Sequence, residues 1–229
     1  MLTLRLDRAD DAPLTVLALG AHPDDIEIGA GGLLLSLAGK LSRVCYVVLT
    51  GTAERHAEAR TAARAFIPDA EVDVTLLDLP EGHLPVAWQS VKQELESIAR
   101  SESPDLIIAP SSTDAHQDHR TVGEIVPTVF RDHLCLAYEI PKWDGDFGRP
   151  SVYYPLPDDL ARRKVELLHK CYPSQHGRDW WDDEVFLGLA RLRGMECRAR
   201  YAEAFYCGKS VINLVPQNSL KNESGGVTR

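Results

Sequence analysis

The chain has 229 residues, of which 44% are hydrophobic and 26% are charged, a balance that excludes wholesale disorder and allows a substantial core. The formal net charge of -9 argues against nucleic-acid binding, because phosphate contacts need a basic surface. No apolar run approaches the roughly 20 residues of a membrane span, and no signal-peptide pattern is visible. The five cysteines form no C-x-x-C motif, so we expect a reduced, cytoplasmic environment.

Strand-like and helix-like segments alternate through the first part of the chain. Apolar or β-branched runs predict strands at 14–19, 43–49, 72–79, 105–109 and 134–140. Helical spacing or an Ala-rich composition predicts helices at 33–38, 54–66, 86–100 and 121–130. This alternation predicts βαβ units, and therefore an α/β fold, a Rossmann-like three-layer αβα arrangement with a mostly parallel sheet.

The pattern is looser in the last third of the chain. It predicts helices at 160–169 and 185–205 and a last strand at 206–214. We expect a single domain over residues 1–215. The polar segment 216–229, which contains Gly225-Gly226, is predicted to be a mobile tail.

Two polar clusters follow the first and fourth predicted strands. The stretch LALGAHPDDIEIGAGG, residues 17–32, carries His22, Asp24 and Asp25, and PSSTDAHQDHR, residues 110–120, carries His116 and His119. Ligands of open parallel sheets bind outside the carboxyl ends of the strands. The first and fourth strands are neighbours in the common doubly wound order, so we expect the two clusters to face each other.

Two imidazoles and a carboxylate are a common catalytic zinc set, and His22, Asp25 and His119 supply these donors. Zinc lowers the pKa of a water in its open position. The same donors also suit Fe²⁺, and affinity order does not decide which metal is loaded.

Three further residues of the clusters have roles to play in such a site. The neighbouring Asp24 is a candidate general base, because adjacent side chains diverge and one Asp can face the substrate. His116 could stabilise an oxyanion or protonate a leaving amine. Asp118, between the two histidines of the second cluster, could orient an imidazole from behind.

Each of these features also has a structural interpretation. A histidine at a strand end is commonly a turn residue, Asp24-Asp25 could cap a helix, and HQDHR could be a solvated loop. Their joint placement at two adjoining strand ends favours the metal site. A dinucleotide site is disfavoured, because GAHPDD stands where the glycine fingerprint should begin. The later glycines are predicted to allow close packing of helix on sheet.

Two motifs, AHPDD at 21–25 and H-x-D-H at 116–119, resemble those of the PIG-L/LmbE-like family of zinc-dependent N-acetylglucosaminyl deacetylases. The resemblance also covers LPEGHLP at 79–85 and RYAEAF at 200–205, and the form AHPDDIEIG is most similar to the branch that contains deacetylases of bacillithiol biosynthesis. It implies that His22, Asp25 and His119 bind zinc and that Asp24 is the base. It also implies homo-oligomers, trimers or hexamers.

Four residues are candidates for the substrate pocket. Glu139, Lys142 and Trp143 follow the fifth strand, and Trp143 offers an apolar face for a sugar ring, although a packing role is an equal alternative. Arg55 either binds substrate or is a solvated helix charge. The segment after Thr50 is shorter than in many relatives, which leaves the sugar conjugate open.

We therefore predict a hydrolase that removes the N-acetyl group from a GlcNAc-type amino sugar or conjugate, using a zinc-activated water. The first alternative is the same chemistry on another amide, as in a thiol-conjugate amidase or an antibiotic-pathway deacetylase. The second is a non-catalytic metal- or sugar-binding module. Candidates for both a base and an acid argue against the module, because binding alone needs neither.

Overall fold

The computed structural model describes residues 3–6, 8 and 12–212. The strands are β1 (Leu14–Gly20), β2 (Leu41–Thr50), β3 (Glu71–Leu79), β4 (Leu106–Pro110), β5 (Leu134–Tyr138), β6 (Val152–Leu156) and β7 (Tyr201–Tyr206). The helices are α1 (Asp25–Ser36), α2 (Ala53–Phe66), α3 (Trp88–Ser101), α4 (Gln117–Val129), α5 (Asp158–Cys171) and α6 (Asp183–Cys197), and a short 3₁₀ helix spans Pro173–Gln175.

The strands within these ranges form a seven-stranded sheet in the order β3-β2-β1-β4-β5-β7-β6. Strands β1 to β5 pair in parallel. Strand β7 runs antiparallel to both of its neighbours, β5 and β6. The strand order reverses at β1, between β2 and β4, which is where a doubly wound sheet opens a crevice at the carboxyl ends of its strands. The predicted α/β class with a mostly parallel sheet is confirmed.

Alternation along β1 divides the interior into two cores. Val16 and Ala18 belong to a core under α1, α2, α5 and α6, whereas Leu17 and Leu19 belong to a core under α3 and α4. All four side chains are almost completely buried. A strand that is apolar on both faces is typical of a parallel sheet covered by helices on both sides. The structure therefore has the three layers that the alternation of elements predicts.

The glycines after β1 lie inside α1, and their lack of a side chain brings this helix close to its neighbours. A Cβ atom on Gly29 would lie 2.3 Å from the ring of Tyr138, and one on Gly31 would lie 2.6 Å from the ring of Phe66. These distances are far below van der Waals contact, so both positions require glycine for packing. The predicted close packing of helix on sheet is confirmed at Gly29, which faces Tyr138 of β5, whereas Gly31 packs against Phe66 of helix α2.

The prediction was wrong at three places in the last third of the chain. The helix predicted over 185–205 ends at Cys197, Arg198 adopts a left-handed conformation with φ 67°, and the RYAEAF segment enters β7. The Ala-rich composition of RYAEAF favours a helix. However, pairing with β5 and β6 buries this segment in the sheet, and that packing outweighs its helix propensity. The strand predicted over 206–214 is absent from 207–212, and strand β6 was not predicted.

Helix α1 begins at Asp25, eight residues before the predicted helix over 33–38. The prediction began too late because glycines weaken helix propensity, whereas in the structure they are packed inside the helix. The predicted tail 216–229 and the boundary at 215 lie outside the described residues. None of the helices within the described ranges combines the length and the apolar composition that crossing a bilayer requires.

Candidate metal and active site

The site lies where the loops after β1 and β4 meet. The two strands are adjacent and parallel, with Val16 paired to Leu106, so their carboxyl ends emerge side by side. The loop after β1 is Ala21 to Asp24, and the loop after β4 leads through Asp114 to the start of α4 at Gln117. The predicted juxtaposition of the two polar clusters is therefore present in the fold.

The backbone is strained at Asp24, the first of the two neighbouring acids. Asp24 has φ 100° and ψ -23°, in the left-handed region that residues other than glycine rarely adopt. Such a conformation costs about 1–3 kcal/mol and is concentrated at functional sites. The Asp25 carboxylate folds back to accept the backbone N–H of His22 at 2.8 Å. Asp25 therefore faces the histidines, whereas Asp24 pairs with Arg55.

Three donor groups converge on one point. His22 Nδ1 lies 3.1 Å from His119 Nε2, and Asp25 Oδ1 lies 3.1 Å from the same His119 nitrogen. The other carboxylate oxygen of Asp25 is 3.6 Å from His22 Nδ1. All three side chains are buried. This is the set of residues for which the sequence predicted metal binding.

The nitrogen of each imidazole that points away from this centre is held by a carboxylate. His22 Nε2 lies 3.0 Å from Asp118 Oδ2, and His119 Nδ1 lies 3.0 Å from Asp114 Oδ2. A carboxylate behind an imidazole fixes the proton on the outer nitrogen and turns the lone pair of the inner nitrogen toward the metal position. The donor set and its support therefore fit a zinc ion, or ferrous iron, at the convergence point.

The charges of the cluster also suit a cation. Burial lowers the pKa of His22, but the Asp25 charge and hydrogen bonds to Asp118 and Asp25 outweigh it and raise that pKa to about 10. Burial likewise lowers the pKa of His119, yet Asp25 and Asp114 raise it to about 9. Burial raises the pKa of Asp25, but the two histidines hold it well below its usual range. Without a metal, protons supply the positive charge that this site favours.

His116 is a third imidazole beside the centre. Donor atoms of His22, His116 and His119 lie within 4.8 Å of one another, so geometry alone permits a three-histidine site. However, His116 Nδ1 accepts the backbone N–H of Asp118 at 3.2 Å. A neutral ring that accepts at Nδ1 carries its proton on Nε2, which then donates and cannot bind a metal. Hence Asp25 is the better third ligand, and His116 presents an N–H to the site.

Burial, followed by the neighbouring His119 and His22, lowers the pKa of His116. The ring is therefore neutral at neutral pH, in agreement with its hydrogen bond from Asp118. A neutral imidazole with a fixed N–H is suited to donating a hydrogen bond to a developing oxyanion.

Asp24 is held by Arg55 rather than by the histidines. Arg55 Nη2 donates to Asp24 Oδ2 at 2.7 Å and also to the carbonyl oxygen of Pro23. Burial raises the pKa of Asp24 to about 7, with the Arg55 charge opposing the shift and the Asp25 charge adding to it. A carboxyl group with a pKa near neutrality can both take up and return a proton.

The short connection after β2 brings Arg55 to this position. Only Gly51 and Thr52 separate β2 from α2, and the Thr52 hydroxyl caps the helix by accepting the backbone N–H of Arg55. Gly51 has φ 138°, and a Cβ there would lie 2.9 Å from Pro23. The shortened segment thus packs against the turn that carries Asp24, and it places the first turn of α2 beside the site.

The predicted substrate residues after β5 lie in different surroundings. Both carboxylate oxygens of Glu139 accept hydrogen bonds from Arg193, at 2.6 and 2.8 Å. The Lys142 ammonium faces inward to Asp114 at 2.9 Å. Trp143 is 66% exposed, and its indole N–H donates to Asp179 at 2.8 Å. Of the three side chains, Trp143 is the one that solvent can reach freely.

Asp114 and Glu27 are two acids of the site region to which the sequence analysis gave no role. Asp114 supports His119 as described, and its position in the histidine-rich loop was the available signal. Glu27 is fully buried below the site and accepts hydrogen bonds from the hydroxyl groups of Tyr46 and Tyr172, at 2.9 and 2.7 Å. Its partners come from distant segments, so no local pattern indicated them.

Comparison with known proteins gives a matching family model and two relatives. The model of the PIG-L family, described as GlcNAc-PI de-N-acetylase, matches residues 17–130. The uncharacterized deacetylase YaiS of Escherichia coli K12 is 29% identical over 168 residues, covering 68% of this chain and 89% of that protein. The diacetylchitobiose deacetylase of Thermococcus kodakarensis is 28% identical over 217 residues, covering 82% of this chain and 80% of that protein.

A solved structure shares the fold. The N,N'-diacetylchitobiose deacetylase of Pyrococcus horikoshii superposes with a TM-score of 0.67 at 23% identity, over 84% of this chain and 83% of the other. The matched residues 17–130 begin in β1 and run just past α4, so they contain both polar clusters and the strands that position them. The motifs, the fold and the named relatives thus agree in the similarity of this chain to the PIG-L family, whose model matches residues 17–130.

Proposed function

We propose that this chain is a metal-dependent N-deacetylase that hydrolyses the acetamide of a GlcNAc-type amino sugar or conjugate, releasing acetate and a free amine. One observation carries the proposal. His22, Asp25 and His119 converge as a metal site, while a second acid, Asp24, lies beside them with a pKa of about 7. A binding module needs a metal site but does not need a second acid that can act as a base.

The metal would be Zn²⁺, with Fe²⁺ as the alternative that suits the same donors. When bound, the ion would polarise the substrate carbonyl and lower the pKa of the attacking water. His22, Asp25 and His119 would hold it, with Asp118 and Asp114 fixing the two imidazole rings.

Asp24 moves the proton in this reaction. Arg55 occupies Oδ2, and no hydrogen bond to Oδ1 is present among the described residues, so Oδ1 can take the proton from the attacking water. As the C–O bond forms, the carbonyl oxygen gains negative charge, and the Nε2–H of His116 donates to it. The C–N bond then breaks as the protonated Asp24 returns the proton to the leaving amine, while the neutral His116 keeps its N–H on the oxyanion. Water and amide are thereby converted to acetate and amine.

Substrate contacts are proposed at the rim of the site. Arg55 lies in the first turn of α2 beside Asp24, and Trp143 exposes its ring on the loop after β5. Diacetylchitobiose is the substrate in the names of two of the similar proteins, which supports a GlcNAc-type sugar here. We also propose that the enzyme works in the cytoplasm as a homo-oligomer, a trimer or hexamer by family resemblance, which light scattering of the purified protein would measure.

Amine release from a panel of N-acetyl sugars tests the reaction. The protein is reconstituted with Zn²⁺ and assayed on GlcNAc, diacetylchitobiose, GlcNAc-malate and GlcNAc-inositol. We expect metal-dependent turnover of at least one of them. If the fully loaded protein acts on none, the function moves to another amide or to a binding module.

Two variants test the roles of the residues. Asp24→Asn keeps the hydrogen bond to Arg55 and should retain one metal per chain, while turnover falls by about 10²- to 10⁴-fold through loss of the base. His119→Ala should lose the metal, whereas the exposed His176→Ala serves as a matched control and should keep it. Near wild-type turnover by Asp24→Asn would show that another group is the base.

A further inference from the structure

Lys142 is buried among acids rather than directed at the substrate mouth. Its side chain is 8% exposed, and its ammonium lies 2.9 Å from Asp114 Oδ1 and 3.0 Å from Asp146 Oδ2. The carbonyl oxygen of Ile140 lies at 3.5 Å. An ammonium has three N–H donors, and these three neighbours account for all of them. No donor remains for a sugar hydroxyl.

Asp114 connects this ammonium to the metal site. Its Oδ2 accepts the outer N–H of His119 at 3.0 Å, and its Oδ1 faces Lys142 and also accepts the backbone N–H of His116 at 2.7 Å. Lys142, Asp114 and His119 therefore form one continuous chain of charge-assisted hydrogen bonds, which ends at the nitrogen proposed to bind the metal.

The two supporting carboxylates of the site are held in different ways. Behind His22, Asp118 accepts two backbone N–H groups, those of Gly82 at 2.6 Å and Leu84 at 2.9 Å. Behind His119, Asp114 accepts one backbone N–H on the oxygen that also faces Lys142. A buried carboxylate needs compensation for its charge, and on this side the compensation is a cation.

Lys142 also fixes the segment that leads into α4, the helix that carries His119. Its partner Asp146 accepts the backbone N–H of Ala115 at 2.6 Å, directly after Asp114. The loop after β5 is thereby joined to the loop after β4 at the point where Asp114 must keep its orientation. Loss of the ammonium would leave three acids, Asp114, Asp144 and Asp146, close together without their shared cation.

We propose that Lys142 is a positioning residue for the metal ligand His119, acting through Asp114, and not a substrate-binding residue as the sequence predicted. The inference rests on the proposed function, because it takes His22, Asp25 and His119 to be the metal ligands. Asp114 orients the imidazole, and Lys142 holds Asp114 in place.

Metal affinity, measured by competition with a chromophoric zinc chelator, tests this without any substrate. Replacing a partner that holds a ligand from behind typically costs 10- to 100-fold in affinity, so we expect Asp114→Asn to lose about that much. We expect Lys142→Met to lose about tenfold on the same grounds. The exposed Lys170→Met is the matched control and should bind zinc as the wild type does.

A double variant tests whether Lys142 acts through Asp114. If it does, Asp114→Asn/Lys142→Met binds zinc about as weakly as Asp114→Asn alone, because the two residues act in one chain. Losses that simply multiply would show that Lys142 acts by another route and would overturn the proposal. So would unchanged zinc affinity in Lys142→Met together with a raised KM, which is the behaviour of a substrate-binding residue.

Separate measurements distinguish a folding defect from a loss of zinc binding. Far-UV circular dichroism and melting of the metal-free proteins show whether each variant is folded, and Lys142→Gln, which keeps one donor, replaces Lys142→Met if the latter is not. Failure of the wild type to bind one zinc per chain would refute the proposed metal site. Equal affinity of the wild type and a folded Lys142 variant refutes only the role of Lys142.

Discussion

Metal binding at the two facing histidines should be strongly pH-dependent near neutrality. The pKa of His22 is raised to about 10 and that of His119 to about 9, in both cases by the surrounding acids against the effect of burial. Their inner nitrogens lie 3.1 Å apart, a hydrogen-bonding distance that requires one nitrogen to donate and the other to accept. At least one proton therefore lies between them in the metal-free protein, and the metal must displace it.

The size of the effect follows from the number of protons that the metal displaces. A raised pKa means that the metal-free site keeps the proton up to about pH 9, so affinity falls as the pH is lowered below that value. Each displaced proton corresponds to about a tenfold loss per pH unit, so we expect a loss of at least about a hundredfold between pH 8.5 and 6.5. Histidines with the ordinary pKa of about 6.5 would give almost constant affinity above pH 7.5.

Chelator competition across this pH range gives the slope directly. Calorimetry at pH 7.5 in two buffers of different ionisation enthalpy counts the released protons independently, and circular dichroism checks that the fold is constant. We expect at least about one proton per metal. A flat affinity profile with well under half a proton released would refute the reasoning, since it would mean that the acids do not hold a proton on the histidine pair.

Two further substitutions have outcomes that the contacts determine. Arg55→Met removes the positive charge that opposes the burial-induced rise in the Asp24 pKa, so that pKa should rise further. The acidic limb of the pH profile of kcat/KM should therefore move to higher pH. An unmoved limb would mean that Asp24 is not the titrating group. Gly29→Ala places a methyl group 2.3 Å from the buried ring of Tyr138 and should destabilise the fold by about 1–3 kcal/mol in urea unfolding. Gly177→Ala, with nothing within 4 Å, is the control and should be nearly neutral, so equal effects of the two would contradict the packing argument.

The parallel half of the sheet could be predicted because each of its elements has a local signal. Strands β1, β2 and β4 are buried on both faces and therefore appear in the sequence as short continuous apolar runs. Strand β7 is equally buried, but its sequence YAEAFY contains Ala and Glu, which also suit a helix. Its Glu203 lies inside the protein because it pairs with Lys164 and accepts the backbone N–H groups of Gly32 and Leu33. That environment is created by other segments, so the strand could not be recognised from its own sequence.

The same distinction separates the predicted and unpredicted parts of the site. His22, Asp25 and His119 were identifiable because ligands of a parallel sheet follow the ends of its strands, and chain order alone places them there. The roles of Asp114 and Lys142 depend on which way each side chain points once the loops after β4 and β5 have met. Lys142 follows a strand end as a substrate residue would, and only the structure shows that it points inward.

The backbone at Asp24 explains why acids rather than glycines follow the first strand. Its φ of 100° is a conformation that glycine adopts freely, and a phosphate-binding loop would use glycine at such a turn. This chain keeps an acid there and bears the conformational cost of about 1–3 kcal/mol. In return the turn directs Asp25 to the histidines and Asp24 to Arg55, although the two are adjacent in sequence. The turn at Asp24 thus lets one dipeptide supply both a proposed metal ligand and a proposed base, and it concentrates backbone strain at the site.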